Sequence, residues 1–195
     1  MHPEVLVEHI RKMKEATDKP WGINVPLLYP EIDRLMNIII QEGVKIVFTS
    51  AGSPKKWTPL LKSHGITVVH VISSALFAKK CEEAAVDAVV AEGFEAGGHN
   101  GREETTTLTL IPNVVESCSL PVIAAGGISS GKSVAAAMTL GAEGVQIGTR
   151  FAVTAESSAH PTFKQRVFDT EEGGTMLALK KLAPTRLIKT TSSIR

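Results

Sequence analysis

Short apolar runs alternate with helical stripes along most of this 195-residue chain, and that alternation limits the fold more than any other feature. Strand-like runs fall at 22–27, 44–49, 66–72, 88–91, 121–125 and 144–147. Between them lie amphipathic segments, such as 31–42 with Ile32, Leu35, Met36 and Ile39 on one face. An earlier stripe, Val5, Leu6, Ile10 and Met13, marks a helix that ends before Pro20. The result is six β-then-α units. Most strands are continuous in apolar residues, as expected when both faces are covered. The pattern predicts an α/β fold with a parallel sheet, either a barrel or an open doubly wound sheet, and six strands alone do not decide between them. No linker or low-complexity segment divides the chain, so residues 1–195 read as one domain. The stretch 152–195 shows no strand pattern and reads as a mainly helical tail, with helix expected over 161–181.

Charge and composition exclude several classes of function. Lys plus Arg is 21 and Asp plus Glu is 20, and no dense basic run exists, so nucleic acid is not an expected partner. No apolar stretch reaches the roughly 18 residues of a spanning helix. The first residues are charged and amphipathic, unlike a signal peptide. Cys81 and Cys118 lack metal-ligand spacing and read as free thiols of a cytoplasmic protein.

Polar residues interrupt the apolar strands at particular places. Asn24, Glu92 and Gln146 each stand near the C-terminal end of a strand. A buried amide or carboxylate needs partners, and the C-terminal ends of parallel strands are where such sheets bind ligands. Two glycine-rich turns follow consecutive strands: Gly126-Gly127 and Gly148-Thr149. Glycine lets backbone N–H groups approach an anion, and a helix N-terminus adds its positive end. The loop Glu92-Gly93-Phe94-Glu95-Ala96-Gly97-Gly98-His99-Asn100-Gly101 sets four glycines around one histidine, a group suited to proton transfer near neutral pH. His70 lies mid-strand and reads as a core or supporting residue. A competing motif overlaps the first turn: Gly126-Gly127-Ile128-Ser129-Ser130-Gly131-Lys132-Ser133 satisfies GxxxxGK[ST], a P-loop for nucleotide triphosphates. No second strand ending in a magnesium-supporting aspartate accompanies it.

Taken together, AEGFEAGGHNG, PVIAAGGI and GAEGVQIGTRF resemble the nitronate monooxygenase family, formerly 2-nitropropane dioxygenases, and the similar flavin-dependent enoyl-acyl-carrier-protein reductase II. GINVP, VFTSAGSP and ESSAHPTFK fit the same pattern. The resemblance implies a TIM (β/α)₈ barrel binding FMN at its C-terminal face. By position, Asn24, Glu92, Gly97, Gly98, Gly126, Gly127, Gln146, Gly148 and Thr149 would contact FMN. Gly126, Gly127, Gly148 and Thr149 would hold its phosphate, and His99 matches the active-site histidine. Many relatives carry Gln where this chain has Glu92. A full member begins with two further β/α units that this sequence lacks. The implied reaction is oxidation of alkyl nitronates by O₂. The alternatives are NAD(P)H-dependent reduction of an enoyl thioester or a quinone, and P-loop nucleotide binding through Gly126–Ser133. The expected partner is a small-molecule substrate, with O₂ or NAD(P)H; a homodimer is also compatible, and no metal is implied.

Overall fold

The computed structural model describes residues 2–190. Six strands form one parallel sheet: β1 (Ile23–Pro26), β2 (Ile46–Ser50), β3 (Thr67–Ile72), β4 (Ala88–Glu92), β6 (Val122–Ala125) and β7 (Gly144–Gln146). Their order is β1-β2-β3-β4-β6-β7. A doubly wound sheet reverses its strand order at a switch point. Here the order never reverses, which is the winding of a (β/α)₈ barrel, and the described residues supply six of its strands. The helices are α1 (Pro3–Ala16), α2 (Ile32–Gln41), α3 (Thr58–Ser63), α4 (Ala75–Glu83), α5 (Thr107–Val115), α6 (Gly131–Thr139), α7 (Thr149–Ala152) and α8 (Pro161–Phe168). No helix of the described residues is long and apolar enough to cross a membrane.

The expected elements from 22 to 147 are all present. The stripe on α2 is buried as read: Ile32, Leu35, Met36 and Ile39. On α1 only half of the stripe is. Leu6 and Ile10 are buried with Pro3, whereas Val5 and Met13 are exposed. The tail differs more. The helix expected over 161–181 ends at Phe168, and two strands follow, β8 (Thr175–Ala178) and β9 (Thr185–Ile188). Gly173, at φ +72°, turns the chain, and a Cβ on Gly174 would lie 2.6 Å from Thr170 Cγ2. The Leu- and Lys-rich residues beyond favour helix locally. They are drawn into an antiparallel sheet, β5-β9-β8, in which β5 (Gly98–His99) comes from the glycine-rich loop. Non-local pairing overrides propensity here.

The chain divides into two compact units, Met1–Val71 with Lys79–Val89, and Ile72–Ala78 with Val90–Arg195. The first buries Ile10, Met36, Ile39, Val44, Val47, Leu61, Val68 and Val89. The second buries Val90, Ala91, Leu110, Ile111, Val114 and Ala124. Each large aliphatic side chain so buried contributes about 1.5–3 kcal/mol against exposure. Ser74 caps α4 by accepting from the Phe77 N–H at 3.3 Å.

Candidate functional site

In the second unit, the C-terminal ends of β4, β6 and β7 each run into a glycine-rich turn. At the end of β4, the Gly93 N–H donates to the Ala125 carbonyl at 2.9 Å, tying this turn to the end of β6. A Cβ on Gly93 would lie 2.1 Å from Thr107 Oγ1, and one on Gly126 would lie 2.7 Å from the Gly93 carbonyl oxygen. These two glycines are therefore demanded by packing. Gly126 is also at φ +101° and Gly127 at φ +68°. Glu95 holds the base of the turns. Its carboxylate accepts from the Thr107 N–H at 3.1 and 3.0 Å, at the positive end of α5. The Thr107 hydroxyl lies 3.0 Å from Glu95 Oε2 and 2.9 Å from the Gly126 carbonyl.

Gly148 is a different case. Its φ is −94°, and no atom lies within 4 Å of where a Cβ would stand. Neither backbone strain nor packing among the described residues requires glycine there. Gly97 has only Thr149 Oγ1 near, at 4.0 Å from its would-be Cβ, and Gly98, at φ +88°, has nothing within 4 Å. Gly148 caps the first turn of α7, where the amides of Thr149 and Arg150 have no partner within the helix. Gln146 is half-buried at the last position of β7. Glu92 is half-buried at the end of β4, and burial alone pushes its carboxyl up to about 7. Gly97, Gly98, Gly148, Thr149, Glu92 and Gln146 thus line strand ends and turns within one unit, with open space beside the glycines.

His99 has an exposed side chain on a fixed backbone. Gly98 and His99 pair with Arg186 and Thr185 of β9. The Asn100 N–H donates to the Pro184 carbonyl at 2.8 Å, and its Nδ2 to the Ala96 carbonyl at 3.0 Å. Asn100 Oδ1 is buried without a partner among the described residues. Asn24 and His70 belong to the first unit. Asn24 is exposed on β1. His70 is buried, its Nδ1 2.6 Å from the Thr49 hydroxyl. Burial pushes the imidazole down to about 4, opposed by a hydrogen bond to the Gly52 backbone. It is a neutral core histidine at pH 7, as its mid-strand position suggested.

The P-loop reading loses its key hydroxyl. Ser133 is committed to a capping box at the start of α6, donating from Oγ to the Ser130 carbonyl while its N–H donates to Ser130 Oγ. Glu95, Thr107 and Arg186 were missed by sequence reasoning. The Thr-Thr-Thr run before an apolar stretch signals a helix start and could have located Thr107. Nothing local marks Arg186, whose partner Phe94 is 92 positions away.

A nitronate monooxygenase family model matches residues 30–193. The chain belongs to the nitronate monooxygenase family. That match contains every site residue of the second unit, while Asn24 lies outside it. Among curated relatives, a 5-hydroxy-7a-methyl-1-oxo-octahydro-indene-4-carboxyl-CoA dehydrogenase of Rhodococcus jostii is 37% identical over 80% of this chain and 43% of its own. A probable nitronate monooxygenase of Bacillus subtilis is 32% identical over 90% of this chain and 62% of its own. The chain thus spans about half the length of the curated relatives it matches. Among solved structures of this type, FabK from Thermotoga maritima superposes with a TM-score of 0.95 at 42% identity, covering 100% of this chain and 62% of FabK. Nitroalkane oxidase from Streptomyces ansochromogenes gives 0.86 at 26% identity, over 96% and 67%.

Proposed function

We propose that this chain binds FMN at the glycine turns of β6 and β7 and serves an FMN-dependent oxidoreductase with His99 as its catalytic residue. The observation that carries this reading is Gly148: a glycine required neither by conformation nor by packing, at the start of a helical turn whose first amides the turn itself does not satisfy, leaves room for a phosphate to approach the backbone. Gly126, Gly127, Gly148 and Thr149 would hold that phosphate. Gly97, Gly98, Glu92 and Gln146 would face the rest of the cofactor. FMN supplies the two-electron redox chemistry when bound. The chain's residues orient and exclude. Near pH 7 the Glu92 carboxyl retains a proton in part of the molecules and can donate a hydrogen bond that a carboxylate could not. The imidazole of His99, on a backbone fixed by β9, would hydrogen-bond the substrate's polar oxygen or transfer a proton to its carbon.

Two substrates fit this machinery. Oxidation of alkyl nitronates by O₂ is supported by the family and by the relatives named probable nitronate monooxygenases. Reduction of an enoyl thioester by NAD(P)H is favoured by one observation. Identity is 42% to FabK, against 32% to the probable nitronate monooxygenase of Bacillus subtilis and 26% to nitroalkane oxidase. An absorbance spectrum of the FMN-supplemented protein, followed by anaerobic addition of propyl-2-nitronate or NADPH, tests both. Bleaching by nitronate alone supports the first, and bleaching by NADPH the second. Gly148→Asp, at a φ of −94° that a side chain tolerates and with open space for its Cβ, sets a negative charge in the phosphate position. It is expected to leave thermal stability nearly unchanged and to weaken FMN binding at least tenfold; unchanged affinity would remove the proposed cradle.

A further inference from the structure

The glycine-rich loop that carries His99 does not hold itself. Its internal hydrogen bonds are few, and it contains Gly93, Gly97, Gly98 and Gly101, the residues that lose most freedom on ordering. The segment 175–188 grips it at both ends. At the near end, Arg186 Nε donates to the Phe94 carbonyl at 3.0 Å, and its guanidinium lies 5.0 Å from the centre of the Phe94 ring. Its Nη1 donates to Thr175 Oγ1 at 3.2 Å, tying β9 to β8. In the middle, Gly98 and His99 pair with β9. At the far end, Arg102 donates to the Leu182 carbonyl at 3.2 Å, and Lys180 pairs with Glu104 at 2.6 Å.

We propose that Arg186 is a positioning residue for His99: its guanidinium, clamped between Phe94 and Thr175, fixes the loop in the form that presents the imidazole. The role of His99 rests on the reading given above. The planar fork serves Phe94 and Thr175 at once while stacking on the ring. A lysine ammonium reproduces the charge and one bond only.

Amide hydrogen exchange on the full chain tests the clamp without reference to any substrate. The Phe94 and Asn100 amides, bonded to the Thr105 and Pro184 carbonyls, are the reporters. Arg186→Met is expected to speed their exchange at least tenfold, with Arg186→Lys in between and the amides of α2 unchanged. Unchanged exchange in Arg186→Met overturns the proposal. If α2 also loses protection, Thr175→Val, which removes only the Nη1 partner, decides by the same reading: faster exchange at Phe94 supports the clamp and unchanged exchange overturns it. In flavin turnover, Arg186→Met should lower kcat at least tenfold with KM and FMN affinity within twofold. A loss confined to KM or to FMN affinity contradicts positioning. His99→Ala separates the two levels. If it turns over normally, the functional reading fails. If it is inactive while Arg186→Met is not, the positioning inference fails alone.

Discussion

Glu92 and His70 show how the same cause, burial, acts with opposite sign on an acid and a base. The folded Glu92 carboxyl holds its proton to about pH 7, whereas an unfolded one releases it near 4.5. The folded state therefore binds the extra proton between those values, and stability falls as pH rises through them. Glu92→Gln removes that loss. Thermal unfolding should find it about 1–2 kcal/mol more stable than the parent at pH 8, a figure reduced for partial exposure, and similar at pH 4. His70 runs the other way. Its folded value is about 4 against an ordinary 6.5, so the unfolded chain takes the proton first. The stabilisation is whole above pH 6.5 and is lost as pH falls towards 4, about 3 kcal/mol in all. Urea unfolding should show that acid slope, and His70→Gln, less stable at pH 7, should show a shallower one. Gly126→Ala combines a left-handed φ with a Cβ 2.7 Å from the Gly93 carbonyl oxygen, so it should lose more than about 2 kcal/mol by urea unfolding. At Gly148 no such penalty exists, which separates a glycine kept for the fold from one with room for a ligand.

The turn after β6 and the start of α6 spell a P-loop in sequence, yet the Ser133 hydroxyl that would serve magnesium closes a capping box with Ser130. Ser130→Ala should therefore lower stability by about 1 kcal/mol in thermal unfolding and leave FMN affinity unchanged. A fall in FMN affinity with no loss of stability would instead give Ser130 a ligand role. The β8–β9 hairpin is the element that local reasoning lost. The run from Met176 to Leu182 favours helix locally, yet β8 pairs with β9, and β9 with Gly98 and His99. The same pairing is what gives a loop of four glycines a defined backbone.

At the scale of the molecule, a ligand that binds only the folded state stabilises it by mass action. FMN at about 100 times its dissociation constant should raise stability by about 2.7 kcal/mol. Thermal unfolding with and without FMN checks this, and riboflavin, which lacks the phosphate, should give a smaller shift. Sequence periodicity was enough for the six β-then-α units, because strand and helix burial repeat every two and 3.6 residues and leave a local imprint. It also placed Glu92, Gln146 and the paired glycine turns at strand ends, since a polar or side-chain-free residue in an apolar run is visible without coordinates. Its limits are equally physical. Six apolar strands are alike whether wound singly or doubly, and only the unreversed order β1-β2-β3-β4-β6-β7 decided for the barrel type. Tertiary structure alone separated Gly126 from Gly148, because the atoms that crowd one come from Gly93 and Thr107. It alone joined Arg186 to Phe94, because a contact spanning 92 positions leaves no periodic trace in the chain.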